Sequence, residues 1–379
     1  MNWLNFAEEY AGLVVVRAPS LGRWQDGRQR TTRPASASAG GAALVGAPAS
    51  DRTARTARLS GVRMTDTDAY DALVIGGGPA GLSAALNLGR SLMRVLLVDA
   101  DRPRNAATLN SHGFLTRDGV PPHELRRIAR EELAAYPNIE VRTRVRVLSL
   151  ERSDGAADAE AARFTASVGR RDPARVVTAR SVVLATGLRE TLPEAPNLRG
   201  FYGISLFSCA ACDAWEMRGR RLALIGTTDD LTDRARLISR WTDHLTVFTL
   251  GADTVTVAQE AELAAAGVAV ARHPISELVG DRGRIEAIRL EDGTEVAIDG
   301  GFVRPQWETD LSFLRGFAPS VDHDGHLVTD RSGRTDIPGL YAAGDAAIPG
   351  PQQLIVAAGA GARVASVLVQ DAVGITTAH

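Results

Sequence analysis

Only two cysteines occur in the 379 residues, and they stand three apart in Cys209-Ala210-Ala211-Cys212-Asp213. Two thiols at that spacing close a small-ring disulfide, and at a helix start the first is favoured as thiolate by the helix dipole. Such a pair exchanges electrons readily. A zinc site would need four ligands, and no second pair and no close histidine is present, so no metal is expected. Asp213, next to the second cysteine, is placed to accept or deliver the proton that thiol–disulfide exchange moves; its other reading is a helix N-cap. Cys209, Cys212 and Asp213 are therefore the candidate catalytic residues. With both cysteines in one CxxC there is no structural disulfide framework, which fits a reducing, cytoplasmic compartment.

A second constellation lies upstream. Residues 70–75 form an apolar strand that runs into Gly76-Gly77-Gly78-Pro79-Ala80-Gly81, residues 82–90 have a helical pattern, 94–98 form another strand, and Asp99 follows. Strand, glycines, helix, strand and acid in that order predict a βαβ dinucleotide site. Gly76 makes the tight turn, Gly78 lets the backbone approach a pyrophosphate, Gly81 permits close helix packing, and Pro79 and Ala80 open the helix whose N-terminus favours an anion. Asp99 has the spacing for a ribose hydroxyl. The loops that carry Arg104, Asn105 and His112 lie where the phosphates and ring of a flavin dinucleotide would extend.

The elements that must position these groups read as α/β throughout. Helices are expected over 122–136, 230–239, 254–266 and 352–369; strands over 139–150, 163–168, 176–183, 221–225, 244–250, 268–272 and 339–343; and a hairpin over 285–298 turns at Asp292-Gly293. Turns are expected over 155–162 and 170–173. The strand ending in Ala185-Thr186-Gly187 closes a first domain, 188–207 is a loop-rich connector, and 301–305 returns the chain to that domain. Gly344-Asp345, at the tip of the last strand, suits hydrogen bonding to a ribityl chain. The expected organisation is an extension over 1–63, a dinucleotide domain over 64–187 and 301–379, and an inserted CxxC-bearing lobe over 188–300.

Composition narrows the rest. The formal net charge is −2, all 43 basic residues are arginine, and no run of eighteen apolar residues occurs. Nucleic acid and a membrane are not expected partners, and without lysine there is no Schiff-base chemistry. Residues 11–63 carry nine arginines against Asp26 and Asp51 among small and polar residues, the composition of a disordered tail. Met64 reads as an alternative translation start.

The inserted lobe begins a second βαβ unit whose turn departs from the pattern. It reads Gly226-Thr227-Thr228-Asp229-Asp230-Leu231, keeping the first glycine and setting two carboxylates at the helix start. Those carboxylates cap the helix but charge the place a pyrophosphate needs, and like charges about 4 Å apart repel by roughly 4 kcal/mol at an effective dielectric near 20. Leu250-Gly251-Ala252 offers no arginine for a ribose 2′-phosphate. The lobe is expected to keep a nucleotide fold without its nucleotide.

Taken in order, Gly-Gly-Gly-Pro-Ala-Gly, Ala-Thr-Gly, CxxC-Asp and Tyr-Ala-Ala-Gly-Asp resemble the low-molecular-weight thioredoxin reductases, over about residues 70–369. The resemblance implies two Rossmann-like three-layer domains, the FAD domain discontinuous and the second lobe inserted in it, with FAD as cofactor, and a homodimer. It also implies that Cys212 faces the flavin while Cys209 exchanges with the external substrate. Gln352, Gln353 and Leu354 fall where the family places Arg-Gln-Ala against the flavin, so the first of the three departs. With its altered second turn, the chain is also similar to the gliotoxin- and holomycin-type dithiol oxidases, flavoproteins with a CxxC and no working NADPH site. Cys212-Asp213-Ala214-Trp215-Glu216 is intermediate between the two branches.

The leading expectation is an FAD-dependent thiol–disulfide oxidoreductase that oxidises a dithiol, with oxygen as acceptor and without NADPH. Its alternatives are an NADPH-dependent thioredoxin reductase acting on a thioredoxin-like protein, an enzyme whose CxxC is reduced by a ferredoxin-like protein, and a flavin-binding redox sensor that does not turn over.

Overall fold

The computed structural model describes residues 68–152, 163–347 and 350–375. The extension 1–63, Met64 and the turn expected over 155–162 lie outside them. Ala69–Ile75 is apolar along nearly its whole length, as a parallel strand covered on both faces must be. It lies between Val95–Asp99 and Pro173–Leu184 in an eight-stranded sheet. Ile139–Thr143 adds one edge, Phe164–Gly169, Arg146–Arg152 and Leu314–Arg315 extend the other, and Leu340–Ala342 pairs with the end of Pro173–Leu184. Helices Pro79–Arg90 and Leu354–Ala372 cover one face, burying Leu88, Val364 and Leu368 against Val74 and Leu97; Leu73, Leu150, Phe164 and Leu184 fill the other.

The second sheet is wholly parallel, in the order Ala269–Ala271, Leu245–Phe248, Leu222–Ile225, Gly300–Val303, Leu206–Phe207. Helix Leu231–Ile238 buries Leu231, Ala235 and Ile238 on it. A three-stranded antiparallel sheet of Ile275–Asp281, Arg284–Leu290 and Glu295–Ala297 packs alongside through Ile288 and Phe248. The expected class, two Rossmann-like layers-of-three with the second set into the first, is the one observed. Where the chain crosses between the two sheets, Arg189–Thr191 and Gln306–Glu308 pair antiparallel, so both crossings form one short ribbon.

Three expectations are corrected. The single strand read over 139–150 is two, Ile139–Thr143 and Arg146–Arg152, at opposite sides of the sheet; Arg144 at φ 59° breaks the run, and a continuous β-prone stretch carries no sign of such a break. The stretch 301–305 does not simply return to the first sheet, because Gly300–Val303 is a strand of the second, with Gly301 pressed against the neighbouring Ala223 backbone. The connector 188–207 likewise ends in a strand of the second sheet. Ile275–Asp281 was not anticipated.

Helix Leu354–Ala372 is long and apolar enough to cross a membrane by composition. Its small residues instead seat it on helix Pro79–Arg90: a Cβ added at Gly361 would stand 2.0 Å from the Ala80 carbonyl oxygen. Gly361→Ala must push the two helices apart, and a fall in stability of about 1–3 kcal/mol is expected, read as a lower urea midpoint.

Candidate active site

The glycine turn after Ala69–Ile75 opens a cleft of about 460 Å³. Gly76 has φ +112°, and a Cβ there would strike the Ala185 carbonyl, while nothing lies within 4 Å of a Cβ built on Gly78. The turn is therefore tight behind and open in front, the geometry an anion at a helix N-terminus requires. Gly76, Gly78, Pro79, Ala80, Asp99, Arg104, Asn105, Thr186, Gly187, Gly344, Asp345 and Leu354 all line the cleft. Gly81 does not; it packs under Gly76, close to the carbonyl oxygen, as its packing role demands. Gln353, the residue that precedes helix Leu354–Ala372, is not among the residues lining this cleft or the pocket beside it, whereas Leu354 lines both. Asp99 is buried; its Oδ1 accepts from the Asp101 amide at 2.9 Å. Thr186 Oγ1 is buried without a hydrogen-bond partner, an acceptor and donor left for whatever fills the cleft.

Beyond Arg104, Asn105 and Leu354 the cleft gives way to a pocket of about 90 Å³, lined by Cys209, Cys212, Asp213, His112, Tyr202 and Gln352 among others. The two cysteines are joined as a disulfide. Cys209 precedes a helix of one turn, Ala210–Asp213, too short to add much dipole to the thiolate. Asp213 does not cap that helix but lies at its end. Burial pushes its carboxyl up to about 7, with His112 opposing and Glu216 adding to the shift. His112, expected beside the cofactor ring, is in this pocket and not among the residues lining the cleft.

The second glycine turn is filled by its own side chains. Asp230 makes no cap hydrogen bond to helix Leu231–Ile238, contrary to expectation. Its carboxylate instead accepts from Thr228 Oγ1 at 2.7 Å, from Arg234 Nε at 3.1 Å and from Arg304 Nε at 2.8 and 3.0 Å. Burial works to raise its pKa, but these donors outweigh it and hold the group at about 2. The repulsion argued from sequence is thus largely neutralised by arginine, and occupation of the turn remains. An arginine absent from the linear run is also nearby: Gly251 donates to the Arg272 carbonyl at 2.8 Å, though the Arg272 side chain is taken by Glu260 at 2.7 Å.

Sequence reading missed Arg304, Trp307, Glu190 and Tyr202. Trp307 lies under Arg304, 4.5 Å from its guanidinium, and Arg104 stands 5.8 Å from the same ring. Glu190 accepts from Trp307 Nε1 at 3.2 Å and from Tyr202 Oη at 2.6 Å. Arg104 binds Asp345 at 2.7 Å, so two residues expected to hold a cofactor also hold each other. Arg304 and Trp307 stand only three apart, but the pairings of Arg104 with Trp307 and Asp345 and of Glu190 with Trp307 join distant segments and have no local sequence signal.

The sequence pattern of the pyridine nucleotide-disulphide oxidoreductases matches residues 70–361, and the chain belongs to that family. A probable thioredoxin reductase from Arthroderma benhamiae is 34% identical over 184 residues, covering 48% of this chain and 44% of that protein, so the chain matches less than half the length of this relative. Among solved structures, the putative thioredoxin reductase TrxB of Bacillus anthracis is 32% identical with a TM-score of 0.74, over 81% of this chain and 100% of that one. HlmI is 32% identical with a TM-score of 0.75, over 83% and 96%. The resemblance to thioredoxin reductase-like flavoproteins, with the gliotoxin/holomycin-type branch beside it, stands. Members of the family bind FAD, and the open glycine turn and the unpartnered Thr186 hydroxyl in the cleft fit that cofactor.

A carboxyl raised from 3.8 to about 7 keeps its proton in the native state where the unfolded chain has released it, so its contribution to stability falls as pH rises between those values. Asp213→Asn removes that loss. At about pH 8 the variant should be more stable than the parent by roughly 1–2 kcal/mol, the linkage being cut by partial solvent exposure, and the gain should vanish toward about pH 4. Urea midpoints across pH check this.

Proposed function

We propose that this chain is an FAD-dependent thiol–disulfide oxidoreductase that oxidises a small-molecule dithiol through Cys209 and Cys212 without NADPH. The observation that carries the reading is the filled second turn. Thr228 stands where the first turn has Gly78, and its hydroxyl closes onto Asp230, itself clamped by Arg304. A dinucleotide phosphate would have to break these charge-assisted bonds, each worth about 1.5–3 kcal/mol.

FAD, when bound, supplies a two-electron acceptor, and dioxygen is the proposed terminal oxidant. The chain's own residues do the thiol chemistry. A substrate thiolate attacks the disulfide at Cys209, the bond to Cys212 opens, and the second substrate thiol displaces Cys209. Asp213, with a carboxyl poised near 7, takes the proton each substrate thiol must lose. The backbone of the Gly76–Gly81 turn receives the cofactor's phosphates, Asp99 the ribose, and Thr186, Gly187, Gly344, Asp345 and Leu354 the flavin half. Division into 64–187, 188–300 and 301–379, a homodimeric assembly and a cytoplasmic location belong to the same reading.

A second reading is an NADPH-dependent reductase of a thioredoxin-like protein. Relatives described as thioredoxin reductases support it, as do the two arginines at the second turn, which a phosphate could take over from Asp230.

Anaerobic titration of the flavoprotein separates the two. A small dithiol should bleach the visible flavin band while NADPH leaves it unchanged; rapid bleaching by NADPH would establish the reductase instead. Cys212→Ser should retain bound FAD yet lose bleaching by dithiols, and persistence of bleaching in that variant would refute the electron route through Cys212.

A further inference from the structure

Each disulfide made from a dithiol releases two protons inside a pocket that holds one carboxylate beside the cysteines. Asp213 can hold only one proton at a time, so it must be emptied before the second substrate thiol ionises. The pocket wall carries a titratable ring for which the thiol chemistry has so far given no role. His112 lines the same pocket as Cys209, Cys212 and Asp213 and is 21% exposed. Its Nδ1 stands 3.8 Å from Glu216 Oε1 and 3.6 Å from Asp118 Oδ1. Those carboxylates are 45% and 70% exposed, so exposure rises outward from the ring to bulk water. Asp118 is fixed in place by the Gly113 amide at 2.8 Å. The other groups around the pocket are Arg104, which is bound to Asp345, and Tyr202, which is bound to Glu190; both are engaged elsewhere.

We propose that His112 is the proton conduit of this site, carrying protons from Asp213 to solvent by way of Glu216 and Asp118. The inference rests on the thiol–disulfide reading above and assigns a residue that reading leaves without a task. The first substrate thiol gives its proton to Asp213, its sulfur bonds to Cys209 Sγ, and the Cys209–Cys212 bond breaks with its electron pair on Cys212 Sγ. His112 takes the proton from Asp213 and releases it past the outer carboxylates. The second substrate thiol then loses its proton to the emptied Asp213, its sulfur attacks the first substrate sulfur, and Cys209 leaves as thiolate. Once Asp213 passes this second proton to His112 along the same path, two protons have gone to solvent, the substrate is a disulfide, and the two electrons reside on Cys209 and Cys212 as thiolates. His112 is thus a positioning and relay residue that acts through Asp213.

The test uses anaerobic FAD-loaded protein mixed with dithiothreitol, with opening of the Cys209–Cys212 disulfide read by rapid thiol alkylation and mass measurement across pH. His112→Ala should slow opening by about tenfold or more at neutral pH. Added imidazole should restore the rate in proportion to its concentration, which loss of a merely structural side chain would not produce. Glu216→Gln with Asp118→Asn, both at exposed positions, should slow opening severalfold and flatten its pH profile while flavin absorbance stays intact. Unchanged opening in both variants, or slowing that imidazole does not relieve, overturns the role of His112. A parent disulfide that dithiothreitol fails to open refutes the thiol–disulfide reading itself, whatever the variants do.

Discussion

The disulfide and the cofactor cleft are built on different sheets, and the contact between them depends on the crossing ribbon and the tryptophan at its centre. Trp307, on the strand Gln306–Glu308, meets both Arg304, which follows strand Gly300–Val303 of the second sheet, and Arg104, from the short helix Arg104–Ala107 that follows strand Val95–Asp99 of the first. Each cation over that ring contributes about 0.5–2 kcal/mol, more as water is excluded. Glu190, on the partner strand, ties the ring nitrogen and Tyr202 together. Arg104 then reaches Asp345 in the cleft. One side chain thus connects the cleft, the ribbon and the second nucleotide turn, and the small pocket with the cysteines sits beside it.

The two nucleotide turns of this chain are an internal comparison. Both follow a parallel strand and open a helix, but the first is lined by backbone and the second by side chains. In the first, absence of a Cβ at Gly78 leaves open space in front of the helix N-terminus. In the second, Thr228 and Asp230 fill that space and Arg304 compensates the charge. A negative group at a helix N-terminus is what both arrangements satisfy. One leaves the place for a ligand; the other supplies the anion from the chain itself.

The same logic of covered charge governs the disulfide pocket. Asp213 is raised because burial strips its water, and the group that opposes the rise, His112, comes from a loop about a hundred residues earlier. Its exposed outer neighbours keep the pocket in protonic contact with solvent although the cysteines are half-buried.

Much of this was legible in the residues. The CxxC, the first glycine turn, Asp99, Ala-Thr-Gly and Gly-Asp are local patterns, and each reports a constraint that acts within a few residues: ring closure, positive φ, close backbone approach. The class of fold followed from the order of apolar strands and amphipathic helices. The split of 139–150, the membership of Gly300–Val303 in the second sheet and the place of His112 were not legible, because each depends on which segments pair across the sheet or pocket. The sequence by itself determined which chemistry the chain carries and which turn keeps its glycines. Only the tertiary structure decided that Asp230 is neutralised rather than repulsive, that Trp307 joins the two lobes, and that His112 faces the cysteines. Charge and stacking are settled by distances between remote side chains, and no local pattern encodes those.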